Sequence, residues 1–172
     1  STFSGSVKDV LAAARAMRSA SIGPALLIGH SLGGAAVLAA AADLPEVKAI
    51  ATIGAPFDVQ PVTRLFGEDL QKLLEQGEAE VKLGGRPFKL RRSFIDDLEA
   101  HDQRQRIGGL RRALLVLHAP MDRTVDIDNA AQIFLAARHP KSFVSLDDAD
   151  HLLTRSADSA YAAEVISAWA TR

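Results

Sequence analysis

The sequence has 172 residues, of which 48% are hydrophobic and 24% are charged, and its formal net charge is −1. This size and composition indicate one globular domain with a substantial core, and the small charge argues against partners such as nucleic acid or an anionic membrane surface. The chain contains no cysteine, which excludes disulfides, zinc–cysteine sites and thiol chemistry. Without a membrane-length apolar run or an initial secretion signal, we expect a cytoplasmic protein.

The first third of the chain alternates helical patterns with short apolar runs. Apolar residues at helical spacing predict a helix over about residues 6–19, with Ser6 and Asp9 as a capping pair at its start. The runs "ALLIG" and "VKAIATIGAP" predict strands over residues 25–29 and about 48–54, each buried on both faces of a sheet. An alanine-rich helix over about residues 32–42 lies between them.

Residues 57–110 have a different pattern and predict an insertion within a single domain that spans residues 1–172. A helical segment that carries Leu70 ends near Gly77. Two short strand-like pieces follow around Gly84 and Gly85, and a further helix begins near Ser93. The insertion is therefore predicted to be a helix–hairpin–helix unit over one end of the sheet.

The last third of the chain returns to alternating strands and helices. "ALLVLHAP" and "SFVSL" predict strands over residues 113–120 and 142–146, and helical patterns follow each at about residues 127–138 and 157–170. Buried strands that alternate with helices imply a parallel sheet. The predicted fold class is therefore α/β, with a mostly parallel sheet of about four strands flanked by helices.

The stretch "PALLIGHSLGGAAV" contains a G-x-S-x-G motif, Gly29-His30-Ser31-Leu32-Gly33. A buried strand before the motif and a small-residue helix after it are typical of a nucleophile elbow, where glycines on either side of a strained serine prevent collisions between strand and helix. The Leu32 backbone N–H could then contribute to an oxyanion hole. The alternative is a glycine-rich turn with a helix-capping serine.

A serine nucleophile needs a base, and five histidines are available. The elbow requires the chain order serine, acid, histidine, so His151 in "SLDDADHLLT" is the candidate base, the alternative being a surface loop histidine. His118 could line the site, but it fits a packed or capping role better. His30 is the variable position of the motif, His101 lies in a charged segment, and His139 suits a helix C-terminal cap.

The acid that orients the base should follow a strand between the serine and the histidine. Asp122 in "LHAPMDRTVDID" lies just beyond the third strand and is the candidate, whereas Asp126 and Asp128 suit the capping of the next helix. The three carboxylates beside the candidate base are interpreted as a solvated loop: Asp147, Asp148 and Asp150. Their spacing matches no EF-hand loop, and neither a metal nor a cofactor is predicted.

These motifs resemble the C-terminal half of an α/β-hydrolase, with Ser31, Asp122 and His151 in the catalytic positions. More closely, "LLIGHSLGGAAVL", "GRPF", "IDNAAQIFLAARHPKSFVSLDDADHLLT" and "EVISAWA" are similar to the hydrolase portion of bifunctional proteins that are joined to an OsmC-type peroxidase domain. The likeness runs through nearly the whole sequence. It implies a fused OsmC-type domain as a partner.

The sequence departs from this family in what precedes the elbow strand. A full α/β-hydrolase has several strands there, and this chain has one predicted helix, so by resemblance its four strands correspond to the fifth through eighth of the family. The missing half normally supplies the second oxyanion donor. We expect the chain to be a C-terminal piece of a longer polypeptide, in which that half, or a second copy, covers the sheet edge at residues 25–29.

The sequence therefore predicts a serine hydrolase that acts on a small-molecule ester, thioester or small amide. The alternative is a non-catalytic hydrolase-fold scaffold or interaction module associated with an OsmC-type redox domain, since a fold does not fix a function. A nucleotide-binding α/β domain is disfavoured because neither G-x-G-x-x-G nor G-x-x-x-x-G-K-[ST] occurs.

Overall fold

The apolar runs of the sequence pair with one another in a single parallel sheet. The structure, a computed structural model, describes residues 3–58, 75–83, 86–91 and 103–171. Within these ranges the strands in chain order are β1 (Leu26–His30), β2 (Ala49–Ile53), β3 (Glu78–Leu83), β4 (Arg86–Arg91), β5 (Ala113–His118) and β6 (Lys141–Ser145). The sheet has the order β1-β2-β5-β6 with all three pairings parallel, which confirms the predicted fold class.

Five helices flank the sheet in the described ranges: one precedes the first sheet strand, one precedes the third, and three follow the first, third and fourth strands at positions that the sequence predicts. They are α1 (Phe3–Ser19), α2 (Leu32–Ala40), α3 (Gln103–Gly109), α4 (Asp128–Ala136) and α5 (Ser156–Ala170), and a short 3₁₀ turn (Ala41–Asp43) continues α2. No helix in the described ranges is long and apolar enough to cross a membrane.

The two faces of the sheet carry two separate apolar clusters. Ile50, Leu114 and Val116 lie in the cluster that also holds residues of α1, α2, α3 and α4, whereas Ala51 and Leu115 pack with residues of α5. Successive strand residues point to opposite faces, so neighbours such as Ile50 and Ala51 divide between the clusters. The apolar, non-alternating strands are thus explained by burial on both faces.

Helix α1 extends from Phe3, so Ser6 and Asp9 lie within the helix and do not cap its start. The predicted capping pair is therefore wrong. Phe3 is 1% exposed and continues the buried stripe of Val7 and Ala14 by one further turn. Burial of this aromatic ring against the core stabilises the extra turn, which the pattern of short polar residues did not indicate.

The hairpin of the insertion is present as predicted. Strand β3 pairs antiparallel with β4, and the pairing runs from Glu78 and Arg91 to Leu83 and Arg86. The predicted helical segments around Leu70 and after Ser93 lie outside the described residues. Helix α3 follows at the end of the insertion.

Strand β1 lies at one edge of the four-stranded sheet. The Ile28 side chain on this strand is 52% exposed, although it is large and apolar. No described strand pairs with the side of β1 that faces away from β2. The expectation that a preceding half of the fold or a second copy covers residues 25–29 stays a prediction.

Candidate active site

Three sheet strands bring Ser31, Asp122 and His151 to the same edge of the sheet. Ser31 directly follows β1, Asp122 lies in the turn after β5, and His151 lies in the loop after β6. Because these strands are parallel, their carboxyl ends meet at one edge, where α/β proteins form their sites. The fold therefore joins side chains that are up to 120 positions apart in sequence.

Ser31 occupies a strained turn between β1 and α2. Its backbone has φ 54° and ψ −128°, a region that costs a non-glycine residue about 1–3 kcal/mol. The Ser31 N–H donates to the Ile53 carbonyl at 2.8 Å, and the Ser31 carbonyl accepts from the Gly34 N–H at 2.9 Å. The Ser31 side chain makes no capping hydrogen bond to α2, so the alternative of a helix-capping serine is wrong.

A continuous chain of hydrogen bonds links the three side chains. His151 Nε2 lies 3.0 Å from Ser31 Oγ, and His151 Nδ1 lies 2.6 Å from Asp122 Oδ2. An ionised carboxylate can only accept, so Nδ1 carries the imidazole proton and Nε2 accepts from the Ser31 hydroxyl. The arrangement holds an unprotonated ring nitrogen against a serine hydroxyl.

Asp122 is held as a carboxylate although its side chain is only 1% exposed. Burial raises the pKa of this carboxyl group, but hydrogen bonds from His151, Val125 and Thr124 outweigh the burial and leave the pKa below its usual value. The Thr124 and Val125 N–H groups both donate to Oδ1, at 2.8 and 2.9 Å. The turn that follows β5 therefore supplies the donors that keep Asp122 ionised.

Glycines allow β1 and α2 to approach each other closely. A Cβ atom on Gly29 would lie 2.6 Å from the Cα atom of Gly34, and a Cβ atom on Gly34 would lie 2.5 Å from the Cβ atom of Ala55. By contrast, a Cβ atom on Gly33 would meet nothing within 4 Å. The expectation that Gly33 prevents a collision is therefore corrected: Gly29 and Gly34 supply the space.

Gly54 is a residue of this site that the sequence analysis missed. It follows β2 with φ +56°, and a Cβ atom there would lie 3.3 Å from His151 Nδ1 and 3.4 Å from Asp122 Oδ2. The position therefore needs a residue that tolerates positive φ and adds no bulk beside the imidazole and the carboxylate. A glycine at the end of the second predicted strand was the only signal for it.

The other candidate residues are not part of this hydrogen-bonded chain. His118 is fully buried, and its Nε2 lies 2.8 Å from the Val125 carbonyl, so it closes the turn that holds Asp122, in agreement with a packed role. Asp126 accepts from the Asp128 N–H at 2.8 Å at the start of α4. The three carboxylates beside His151 are exposed, and His101 lies outside the described residues.

Among the described residues, no group of three or more histidines and carboxylates could hold a metal ion.

Comparison with known proteins shows the family. The family model of the α/β-hydrolase fold matches residues 4–82. The esterase domain of a Rhodothermus marinus protein is 49% identical over 99% of this chain and 68% of that chain, with a TM-score of 0.82. The chain belongs to the α/β-hydrolase family.

More distant solved structures share the fold. Mouse alpha/beta hydrolase domain-containing protein 10 is 24% identical, with a TM-score of 0.79 over 99% of this chain and 70% of that chain. Est1E from Butyrivibrio proteoclasticus is 16% identical, with a TM-score of 0.73 over 97% of this chain and 72% of that chain. No curated protein sequence matches the chain. The finer resemblance to hydrolases joined to an OsmC-type domain stays a prediction.

The glycine geometry predicts opposite effects for two neighbouring substitutions. Gly34→Ala should destabilise the protein because its new methyl group meets Ala55, and overpacking typically costs about 1–3 kcal/mol. Gly33→Ala adds a methyl group in open space within α2 and should stabilise the helix by up to about 1 kcal/mol. Urea denaturation of the two variants compares them directly. Equal destabilisation by both would contradict the packing described for the elbow.

The lowered pKa of Asp122 predicts an acid-dependent contribution to stability. The folded protein releases this proton more readily than the unfolded chain, so the contribution is present above the ordinary value of 3.8 and is lost as pH falls through the folded pKa. Asp122→Asn removes the titrating group. The melting temperatures of the wild type and this variant should therefore differ most near neutral pH and converge as pH falls below 3.8 and through the lowered pKa of the folded state. A difference that stayed constant with pH would contradict the assignment.

Proposed function

We propose that this α/β-hydrolase chain carries the catalytic centre of a serine hydrolase that cleaves an ester, thioester or small amide through an acyl-enzyme. The hydrogen-bonded chain from Ser31 through His151 to Asp122 is the observation that carries the proposal. The 49% identity to an esterase domain supports the proposal, and we therefore rank esters first among the candidate substrates.

In the first step, Ser31 is the nucleophile and His151 is the general base. As the Ser31 oxygen attacks the acyl carbon, its proton moves to Nε2 of His151, 3.0 Å away. The imidazole then carries a positive charge beside the Asp122 carboxylate, which stabilises this imidazolium and keeps the ring in the required orientation. A tetrahedral intermediate with a negatively charged oxygen results.

The backbone N–H of Leu32 is the proposed donor to that oxygen. Leu32 begins α2, and within the described part of the chain its N–H has no hydrogen-bond acceptor. The helix N-terminus adds a favourable dipole. By family resemblance, a second donor is expected from the half of the fold that precedes the elbow, and one such donor typically changes the rate by about 10²- to 10³-fold.

The second half of the reaction returns the enzyme to its starting state. His151 gives its proton to the leaving alcohol, thiol or amine as the acyl carbon–heteroatom bond breaks, which leaves an ester between the acyl group and Ser31. A water molecule then loses a proton to His151 Nε2 and attacks this ester. His151 Nε2 then gives this proton to the Ser31 oxygen as the bond between that oxygen and the acyl carbon breaks, so the products are a carboxylic acid and the free Ser31 hydroxyl.

A fluorophosphonate probe tests the proposal directly, because it reacts much faster with an activated serine than with an ordinary hydroxyl group. The full-length protein should be labelled on the tryptic peptide that carries Ser31. Labelling should disappear in Ser31→Ala, and its rate should fall by about 10⁴-fold in Asp122→Asn, which would favour the wrong imidazole tautomer. Peptide mass spectrometry measures both outcomes.

Ser159→Ala is the matched control, since Ser159 is exposed on α5, away from the three side chains. This variant should label at the wild-type rate. No labelling of the full-length wild-type polypeptide, or undiminished labelling of Ser31→Ala, would overturn the proposal. The first of these results would favour the non-catalytic scaffold.

A further inference from the structure

His30 makes a hydrogen bond that the proposed chemistry does not use. It is the last residue of β1, directly before Ser31, and its Nε2 lies 2.6 Å from the backbone carbonyl oxygen of His151. A carbonyl oxygen can only accept, so Nε2 of His30 is the protonated donor. The centres of the two imidazole rings are 5.0 Å apart, with an interplanar angle of 43°.

This hydrogen bond joins the loop after β6 to β1, the strand that ends directly before Ser31. Within the loop, the Leu153 N–H donates to the Asp150 carbonyl at 3.2 Å and the Thr154 N–H donates to the Asp150 side chain at 2.9 Å. These bonds hold residues 150–154 as one turn but do not attach it to the sheet. Among the described residues, the His30 side chain provides the hydrogen bond from the rest of the molecule to the backbone of this turn.

We propose that His30 is a positioning residue for His151, an inference that rests on the proposed hydrolase function. Its side chain fixes the His151 backbone relative to β1, and Ser31 follows His30 directly. The distance between His151 Nε2 and Ser31 Oγ is thereby set from two sides, by Asp122 at the imidazole and by His30 at the backbone. A displacement of about 1 Å at a reacting group can cost about 10²-fold in rate.

The side chain at the variable position of the G-x-S-x-G motif must therefore be a hydrogen-bond donor that is long enough to reach the His151 carbonyl. Gln carries an amide nitrogen at nearly the reach of the imidazole Nε2, whereas Asn is shorter and Leu has no donor. His30 does not belong to the chain of bonds that moves the proton, but in this proposal it sets the distance between the base and the nucleophile. Because that distance affects the chemical step, substitution of His30 should lower kcat and leave KM nearly unchanged.

The test compares His30→Gln, His30→Asn and His30→Leu in the full-length polypeptide with a p-nitrophenyl ester as substrate. We expect kcat of the Asn and Leu variants to fall by about 10- to 100-fold, and kcat of the Gln variant to stay within about threefold of the wild type. The melting temperature of each variant shows whether it is folded. Because Asn and Gln are both polar amides, their comparison isolates the reach of the donor even if the Leu variant does not fold.

Two results separate this inference from the proposed function. If the wild type is active and the three variants retain its kcat, or if the Gln variant loses as much kcat as the Asn variant, His30 is not a positioning residue although the hydrolase proposal stands. If the fluorophosphonate probe does not label the wild type, the hydrolase proposal itself fails.

Discussion

The hydrogen bond between His151 Nδ1 and the Asp122 carboxylate decides where the imidazole proton lies, and the use of the site depends on that proton. With Nδ1 protonated, Nε2 presents its lone pair to the Ser31 hydroxyl 3.0 Å away. Asp122 can accept this hydrogen bond as a carboxylate because the Thr124 and Val125 N–H groups donate to its other oxygen, which keeps the buried carboxyl group ionised. The parallel sheet contributes by ending β1, β5 and β6 at one edge.

The same site requires glycines at its close contacts and holds the Ser31 backbone in a strained conformation. The positive φ of Ser31 costs about 1–3 kcal/mol, and it persists because β2 holds the serine N–H while the start of α2 holds its carbonyl. Gly34 lets α2 approach Ala55, and burial of the small side chains of this helix offsets the strain. Gly54 leaves room for the imidazole and the carboxylate.

Local patterns in the sequence predict the strands of the sheet and the three side chains of the site. Apolar runs and helical spacing place all four sheet strands correctly, and the order of strands and loops along the chain singles out Ser31, Asp122 and His151. Gly34, Gly54 and the bond from His30 could not be predicted, because each depends on distances between segments that are remote in sequence. The start of α1 was misplaced for the same reason, since burial of Phe3 in the core extends the helix past its polar residues.

The tautomer of His151 is the quantity that tests this account most directly. Nitrogen-15 NMR of the histidine-labelled protein at about pH 8, with the His151 signals assigned by their loss in His151→Gln, distinguishes the two ring nitrogens. The account predicts a proton on Nδ1 and an unprotonated Nε2 at neutral charge. A proton found on Nε2 would leave Ser31 without a base and would contradict the account.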